Sequence, residues 1–355
     1  MRIAITGATG NVGTALLRAL SGAGHSLVGI ARRPPAASHP PYAAAGWHAV
    51  DLTRDDHVDR LREAVRGADA LVHLAWGFQP SHRLDHLHEL GVGGTRRVAE
   101  AVVAEGVPHL VHMSSVGAYS PRSGPRPVTE DYPVDGVPTS PYSQHKAEAE
   151  RFLDGFAAAH PSLTLARMRP GIIGQSAAGS ALLRYAVPGL VPAAALRFVP
   201  VLPLDRRLEV PFVHADDVAA AVVAVLARGA EGAFNLASGR PVTAELVGAA
   251  LHARTVHVPA RVLRAGVAAL WHARLEQLDP GWIDLAYAVP LLDSARAELE
   301  LDWRPRHTET EVLDEVITGM ATSASSPSPV LRPRRILDNL ARALGDAPVH
   351  RRARP

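Results

Sequence analysis

Tyr142 and Lys146 stand four residues apart in Pro141-Tyr142-Ser143-Gln144-His145-Lys146, and the Ala147-Glu148-Ala149-Glu150 that follows is good helix-forming sequence. Positions i and i+4 share one helix face, which puts an ammonium beside a phenol. An unperturbed phenol titrates near ~10, too high for a general base at neutral pH. A fixed cation a few ångströms away lowers it. Of the 37 Lys plus Arg in the chain only Lys146 is lysine, leaving 36 arginines. The one compact, adjustable ammonium thus stands where it differs most from a planar guanidinium. The pair reads as a proton-transfer site rather than a solvated helix face.

A site of this kind needs something to hold its reactants. Arg2-Ile3-Ala4-Ile5-Thr6 has the pattern of a short buried strand. Gly7-Ala8-Thr9-Gly10-Asn11-Val12-Gly13 follows, then an apolar-faced helix from Thr14 to Leu20, then a second strand over 26–31. Glycines in that position let the chain turn tightly and let a pyrophosphate approach the helix N-terminus, where free amides and the dipole favour anions. Strand, glycine turn, helix and strand within about thirty residues form the context that gives a dinucleotide fingerprint its meaning.

The alternation continues. Strands are expected over 46–50, 68–75, 109–114 and 163–169, and helices over 55–66, 83–105 and 141–158. Repeated strand-helix units with buried strands predict an α/β fold, a Rossmann-type doubly wound parallel sheet. Residues 1–170 are assigned to the dinucleotide-binding domain, whose core also receives segments near 210–240. Residues 171–315 form a smaller, mostly helical, interleaved substrate-binding part, with helices expected over 216–228 and 242–253, a strand over 232–237, and Trp271, Trp282 and Trp303 as packing anchors. Residues 316–355 are read as a Ser/Pro linker (322–329) and a basic tail, with one amphipathic helix carried by Ile336, Leu337, Leu340, Ala341 and Leu344.

Composition narrows the chemistry. The absence of cysteine excludes disulfides, thiol catalysis and Cys-ligated metals. A hydrophobic content of 47% supports a sizeable core. The most apolar region, 181–204, is broken by arginines and prolines, so no membrane span is expected, and Met1 leads into a strand rather than a secretory signal. A cytoplasmic protein is the reading. The net charge of +2 is local: residues 331–355 carry seven arginines against Asp338 and Asp346. That tail reads as solvated chain rather than a nucleic-acid site. His214, Asp216 and Asp217 suggest a helix start capped by one of the aspartates, and His82 and His86, spaced i,i+4 on the expected helix, define no third ligand; no metal site is assigned.

Thr6-Gly7-Ala8-Thr9-Gly10-Asn11-Val12-Gly13, Asp51-Leu52, His73-Leu74-Ala75, Ser114-Ser115 with Tyr119, Tyr142 with Lys146, Arg169-Pro170-Gly171 and Phe212-Val213-His214-Ala215-Asp216-Asp217-Val218 occur in one order. Together they resemble the extended short-chain dehydrogenase/reductase family, the NAD(P)-dependent epimerase/dehydratase group, over residues 1–315. The resemblance implies reversible hydride transfer at a secondary alcohol or ketone. Ser115 would hydrogen-bond the substrate oxygen, Tyr142 would move the proton, and Lys146 would lower the phenol and hold the nicotinamide ribose. It also implies cofactor contacts from Gly7, Thr9, Gly10, Asn11, Val12, Gly13, Asp51, Leu52, Leu74, Ala75 and Pro170, and a homodimer through the helices at 83–105 and 141–158.

The chain departs from that pattern in three places. The family's acidic residue at the end of the second strand, which favours NAD, is replaced by Ala31, with Arg32 and Arg33 next. Guanidiniums pair with a phosphate, so NADP is preferred and NAD is possible. Gly91 stands where the family has asparagine, and Gly91, Gly93 and Gly94 weaken the expected helix. Val116-Gly117 follow Ser115 where 4,6-dehydratases carry an Asp-Glu pair; neither can transfer a proton, which disfavours dehydration. Reduction and epimerisation both stay open, for a ketone or a sugar nucleotide. The alternative of another class is a non-enzymatic NADP-binding sensor or scaffold, which needs the glycine turn but not Ser115, Tyr142 and Lys146.

Overall fold

The computed structural model describes residues 1–36, 38–77, 81–186, 193–276 and 278–333. Its first half alternates strands and helices: β1 (Arg2–Thr6), α1 (Asn11–Leu20), β2 (Ser26–Ala31), β3 (Ala45–Ala49), α2 (Val58–Val65), β4 (Ala70–His73), α3 (Leu84–His88), α4 (Gly94–Ala104), β5 (His109–Met113), α5 (Pro141–Ala159) and β6 (Thr164–Pro170). Then come β7 (Ile172–Gly174), α6 (Gly179–Ala186), β8 (Val201–Leu204), β9 (Glu209–Val210), β10 (Phe212–His214), α7 (Ala215–Arg228) and β11 (Gly232–Leu236). The last part holds β12 (Val242–Thr243), α8 (Ala244–Ala250), β13 (Arg254–His257), α9 (Ala260–His272), α10 (Gly281–Ala288), α11 (Ala295–Leu301) and α12 (Glu309–Ala321).

Seven of these strands form one sheet in the order β11-β6-β5-β4-β1-β2-β3, and every pairing is parallel. The expected doubly wound sheet is present. Its central strands are buried along their length, as a sheet covered by helices on both faces requires. One face packs Leu16, Leu17, Val218 and Val222 against Ile3, Ile5 and Phe234. The other packs Leu61, Val98, Val102 and Leu153 against Ala4, Leu71 and Leu110. Strand order reverses between β1 and β4, and the crevice beyond the carboxyl ends of such strands is where open sheets of this class bind ligands.

Local chemistry explains the ends of the elements that matter. α5 starts where Pro141 fits the first helical turn and the Ser140 hydroxyl accepts from the Ser143 amide. α12 starts on a reciprocal capping box between Thr308 and Glu311. The expected helix over 83–105 is resolved differently. α3 and α4 are joined through a π-helical turn, Glu89–Gly93, so the glycines widen the helix rather than end it. His82 precedes α3 and stacks on Trp271 at 4.5 Å, which removes the expected i,i+4 pair with His86. The helix expected over 242–253 begins two residues later, because Val242–Thr243 pairs with β9 and Thr243 caps α8.

Of the three tryptophans expected as anchors, Trp303 is buried and donates to the Asp217 carbonyl at 2.8 Å, whereas Trp271 and Trp282 are half-buried. α7 is capped by His214, whose Nδ1 accepts from the Asp216 amide, not by either aspartate. Asp216 pairs with Arg18, and Asp217 accepts from the His307 amide. Among the described residues no cluster of three His, Asp or Glu could hold a metal ion, and no helix is long and apolar enough to cross a membrane.

The Ser/Pro segment expected as a linker is packed structure. Ser180 donates from its hydroxyl to the Ser323 carbonyl at 2.7 Å and from its amide to the Ala324 carbonyl. The Ser328 hydroxyl donates to the Thr9 carbonyl at 2.8 Å and accepts from the Val330 and Leu331 amides. Leu331 is 1% exposed and packs on Ala178 and Ala181; burying a leucine contributes about 1.5–3 kcal/mol. The expected amphipathic helix at 336–344 lies outside the described residues.

Candidate active site

The glycine turn joins β1 to α1. Gly7 takes φ +68°, and a Cβ there would meet the Ala75 nitrogen at 2.7 Å, so only glycine lets the turn lie against the end of β4. A Cβ on Gly13 would run into the Gly7 carbonyl. No side chain caps the first turn of α1, and that turn holds no acidic residue. Its amides and dipole are left to favour an anion.

A cleft opens above this turn, walled by Gly7, Thr9, Gly10, Arg32, Arg33, Asp51, Leu52, Leu74 and Ala75. These predicted residues come together as one wall. Asn11, Val12, Gly13, Lys146 and Pro170 do not line it. The Asn11 side chain is turned away, donating to the Ile173 carbonyl at 3.0 Å and accepting from Gln175. Val12 and Pro170 are buried. Asp51 is tied to the Thr53 amide and hydroxyl. Apolar walls, one carboxylate (Asp51), the uncapped first turn of α1 and the arginines at 32, 33 and 83 suit an adenosine diphosphate moiety.

Ser115 follows the carboxyl end of β5. Its hydroxyl accepts from the Gly117 amide at 3.0 Å and hydrogen-bonds Tyr142. Tyr142 and Lys146 lie on one face of α5, and Glu150 falls one further turn along. Trp282 lies 4.9 Å from the Tyr142 ring. Burial pushes the Tyr142 phenol up to about 12, with the Ser115 hydrogen bond acting the other way.

The expected lowering of the phenol by Lys146 is not met in this arrangement. Lys146 is 2% exposed, donates to the Met113 carbonyl at 2.7 Å, and lies 3.5 Å from the centroid of the Trp76 indole. Burial lowers the ammonium itself to about 7, with Glu150 opposing. Trp76 was not flagged by sequence reasoning. Its ring rests where a larger residue at 91 would stand: a Cβ on Gly91 would meet it at 2.9 Å. The glycine that replaces the family's asparagine is therefore a seat for an indole. Gly91→Ala is expected to unseat the ring, cost about 1–3 kcal/mol of stability as an overpacked site does, and shift tryptophan emission. Emission and melting temperature both unchanged would refute the seat.

Beneath this layer sit two buried histidines. The Thr95 hydroxyl donates to the Gly91 carbonyl, so it accepts from His73 Nε2; Nδ1 then accepts from Thr6. His73 is neutral by this pairing, and burial first, then the Lys146 charge, lowers it to about 3. His112 has no hydrogen-bond partner at either ring nitrogen, and the same causes hold it well below its ordinary value. Both folded values lie under the unfolded 6.5, so the unfolded chain binds more protons as pH falls. Stability is complete above pH 6.5 and declines toward about pH 3, by up to ~1.4 kcal/mol per pH unit per histidine. Urea unfolding at pH 7, 6 and 5 should show it, and His112→Leu should flatten the slope; an unchanged slope would refute the assignment.

A buried ionic network anchors the site from the far side. Arg169, 4% exposed, donates to both carboxylate oxygens of Glu150 at 2.6 and 2.9 Å, and to the Tyr119 hydroxyl and Glu130 carbonyl. Ser114 also donates to Glu150. Strand end and helix are thus clamped on either side of Ser115.

Comparison with known proteins identifies the family and the fold. The model of the NAD dependent epimerase/dehydratase family matches residues 3–237. L-arabinose 1-dehydrogenase (NAD(P)(+)) of Haloferax volcanii is 37% identical over 114 residues, 32% of this chain and 41% of that protein, so the match spans less than half the relative's length. A 4-hydroxy-2-methyl-3-oxo-4-farnesyl-3,4-dihydroquinoline-1-oxide ketoreductase of Stigmatella aurantiaca is 26% identical over 88% of this chain and 95% of its own. Ceramide reductase of Caulobacter vibrioides is 29% identical over 85% and 86%. The solved structure of a UDP-glucose 4-epimerase from Thermotoga maritima with UDP-glucose superposes with a TM-score of 0.70 at 17% identity, covering 91% of this chain and 99% of that one, a likeness of fold. The chain belongs to the NAD-dependent epimerase/dehydratase family.

Proposed function

We propose that this protein is an NADP(H)-preferring carbonyl reductase that uses Ser115, Tyr142 and Lys146 on a weakly polar ketone or secondary alcohol. The observation that carries the reading is the Ser115–Tyr142 hydrogen bond at the carboxyl edge of the sheet, one helical turn from the single lysine. The nicotinamide ring supplies or accepts the hydride when bound. Ser115 holds the substrate oxygen, and Tyr142 passes its phenolic proton to that oxygen on reduction. For Lys146 to face a ribose hydroxyl, the Trp76 indole has to leave the ammonium it now covers. Lys146 released from the indole then draws the phenol down.

The surroundings favour an apolar ligand over a sugar nucleotide. Trp76 and Trp282 flank Tyr142, and Val116 follows Ser115. Arg169 is consumed by its buried network, and Arg207 is paired with Asp205; the side chains of Arg184 and Arg197 lie outside those described. Two relatives matched along most of their length are named as reductases. A homodimer through α4 and α5 belongs to the same reading and is measurable by sedimentation.

The test is oxidation of NADPH, followed at its absorbance band, with a panel of long-chain and aromatic ketones beside UDP-sugars. Consumption with apolar ketones supports the reductase. Interconversion of UDP-sugars with no net consumption makes the protein an epimerase. Tight dinucleotide binding with neither reaction leaves a sensor.

A further inference from the structure

A helix on a protein surface normally turns its charged and polar side outward. α9 does the reverse. None of its 13 residues is buried, and its exposed stripe is Val262, Ala265, Gly266, Ala269 and Leu270, continued past the helix end by Ala273 and Leu275. Val262 is 52% exposed, Leu270 46% and Leu275 57%. The start of α9 is tied to β8, since the Val258 amide donates to the Leu204 carbonyl and the Ala260 amide to Asp205. In the parallel pair of β8 and β13, Val201 lies opposite Arg254 and Pro203 opposite Val256. All four are exposed, and alternation puts them on one face of the pair. Thr255, on the other face, turns its methyl toward Gly248 of α8. Phe198, just before β8, is 80% exposed. Six of the ten large apolar side chains exposed among the described residues thus fall on β8, β13, α9 and their flanks. Scattered singly such side chains need no explanation, but gathered they mark an interaction surface.

The charge on this surface has one sign. The thirty residues from Leu246 to Leu275 hold four arginines, three histidines and no Asp or Glu. Arg264 is paired with Asp284 of α10, whereas Arg254, Arg261 and Arg274 are exposed among the apolar groups. A two-fold dimer through this face would set each basic patch against its own copy, where like charges repel. An acidic protein would match the charge, but the middle of the stripe is Ala265, Gly266 and Ala269, with no aromatic anchor of the kind that carries protein interfaces. A fluid acyl phase needs no such anchor. Valine, leucine and phenylalanine enter the headgroup boundary while arginines meet anionic lipid. At 13 residues α9 is too short to cross a bilayer, so it would lie in the plane of the interface. We propose that α9 and the outer face of the β8–β13 pair form a docking surface for an anionic lipid bilayer.

The inference goes beyond the reductase reading and does not depend on it, since vesicle capture requires neither dinucleotide nor turnover. The full chain is floated with vesicles of phosphatidylcholine alone and of phosphatidylcholine mixed with phosphatidylglycerol. Capture by the mixed vesicles is expected, weakening as salt rises. Arg261→Ala and Arg274→Ala should each weaken it about five-fold. The double variant Val262→Glu with Leu270→Glu should abolish capture and leave the melting temperature unchanged, because both side chains are exposed. Capture that survives the double variant places the attachment elsewhere, such as the arginines of 331–355, and overturns the proposal. Equal capture by neutral vesicles, or none by either, overturns it as well. A dimer that forms without lipid and that the double variant dissociates would make the cover a second copy and overturn the bilayer.

Discussion

Tyr142→Phe is expected to keep the fold and the bound dinucleotide while turnover falls by ~10²–10⁴-fold, the range for losing a general acid–base group. The substitution deletes one oxygen. Phenylalanine keeps the ring contact with Trp282 and loses the hydrogen bond with Ser115. The phenol lies near 12 because it is buried, and Lys146 faces the Met113 carbonyl beneath Trp76. Proton transfer near neutral pH therefore requires that layer to rearrange. The check is kcat beside the NADP(H) Kd. Undiminished kcat would exclude Tyr142 as the proton carrier, whereas a matching loss of Kd would make its role one of packing.

Glu150→Ala should destabilise the protein by about 3–5 kcal/mol, the cost of leaving a buried ion without its partner. Glu150 is 1% exposed and receives Arg169 through two hydrogen bonds and Ser114 through a third. Removing it strands a guanidinium among Tyr119, Glu130 and β6. Urea unfolding measures the loss, and a change under about 1 kcal/mol would show that the pair is not what clamps α5 to β6. The double variant Glu150→Leu with Arg169→Met should recover much of the stability, because apolar side chains of similar volume pack where an ion pair was desolvated. It should not recover activity. Glu150 is also the carboxylate that supports the charge on Lys146.

Much of this was legible from the chain. Short apolar runs located the strands, because a strand buried on both faces has no other pattern to show. The i,i+4 spacing of Tyr142 and Lys146 fixed their common face before any fold was known. What escaped was contact between residues distant in sequence. Nothing in Leu74-Ala75-Trp76 indicates that the indole lies on Gly91, or that a glycine in place of an asparagine is a packing site. The Arg169–Glu150 pair joins a strand to a helix nineteen residues earlier, and neither partner is distinctive alone. Thr322-Ser323-Ala324-Ser325-Ser326-Pro327-Ser328-Pro329 reads as linker by composition, since small hydroxylated residues carry little apolar surface. Here the Ser328 hydroxyl bonds buried backbone and that of Ser326 meets Tyr42.

That last segment sets an order of events during synthesis. The hydrogen bond from Ser328 to Thr9 spans 319 positions. At ~5–20 residues per second, the glycine turn emerges roughly fifteen to sixty seconds before the residue that bonds it exists. A nascent chain can assemble its sheet in that interval, but it presents a groove open on one flank. A chain cut short upstream of it leaves the Thr9 carbonyl without its Ser328 partner.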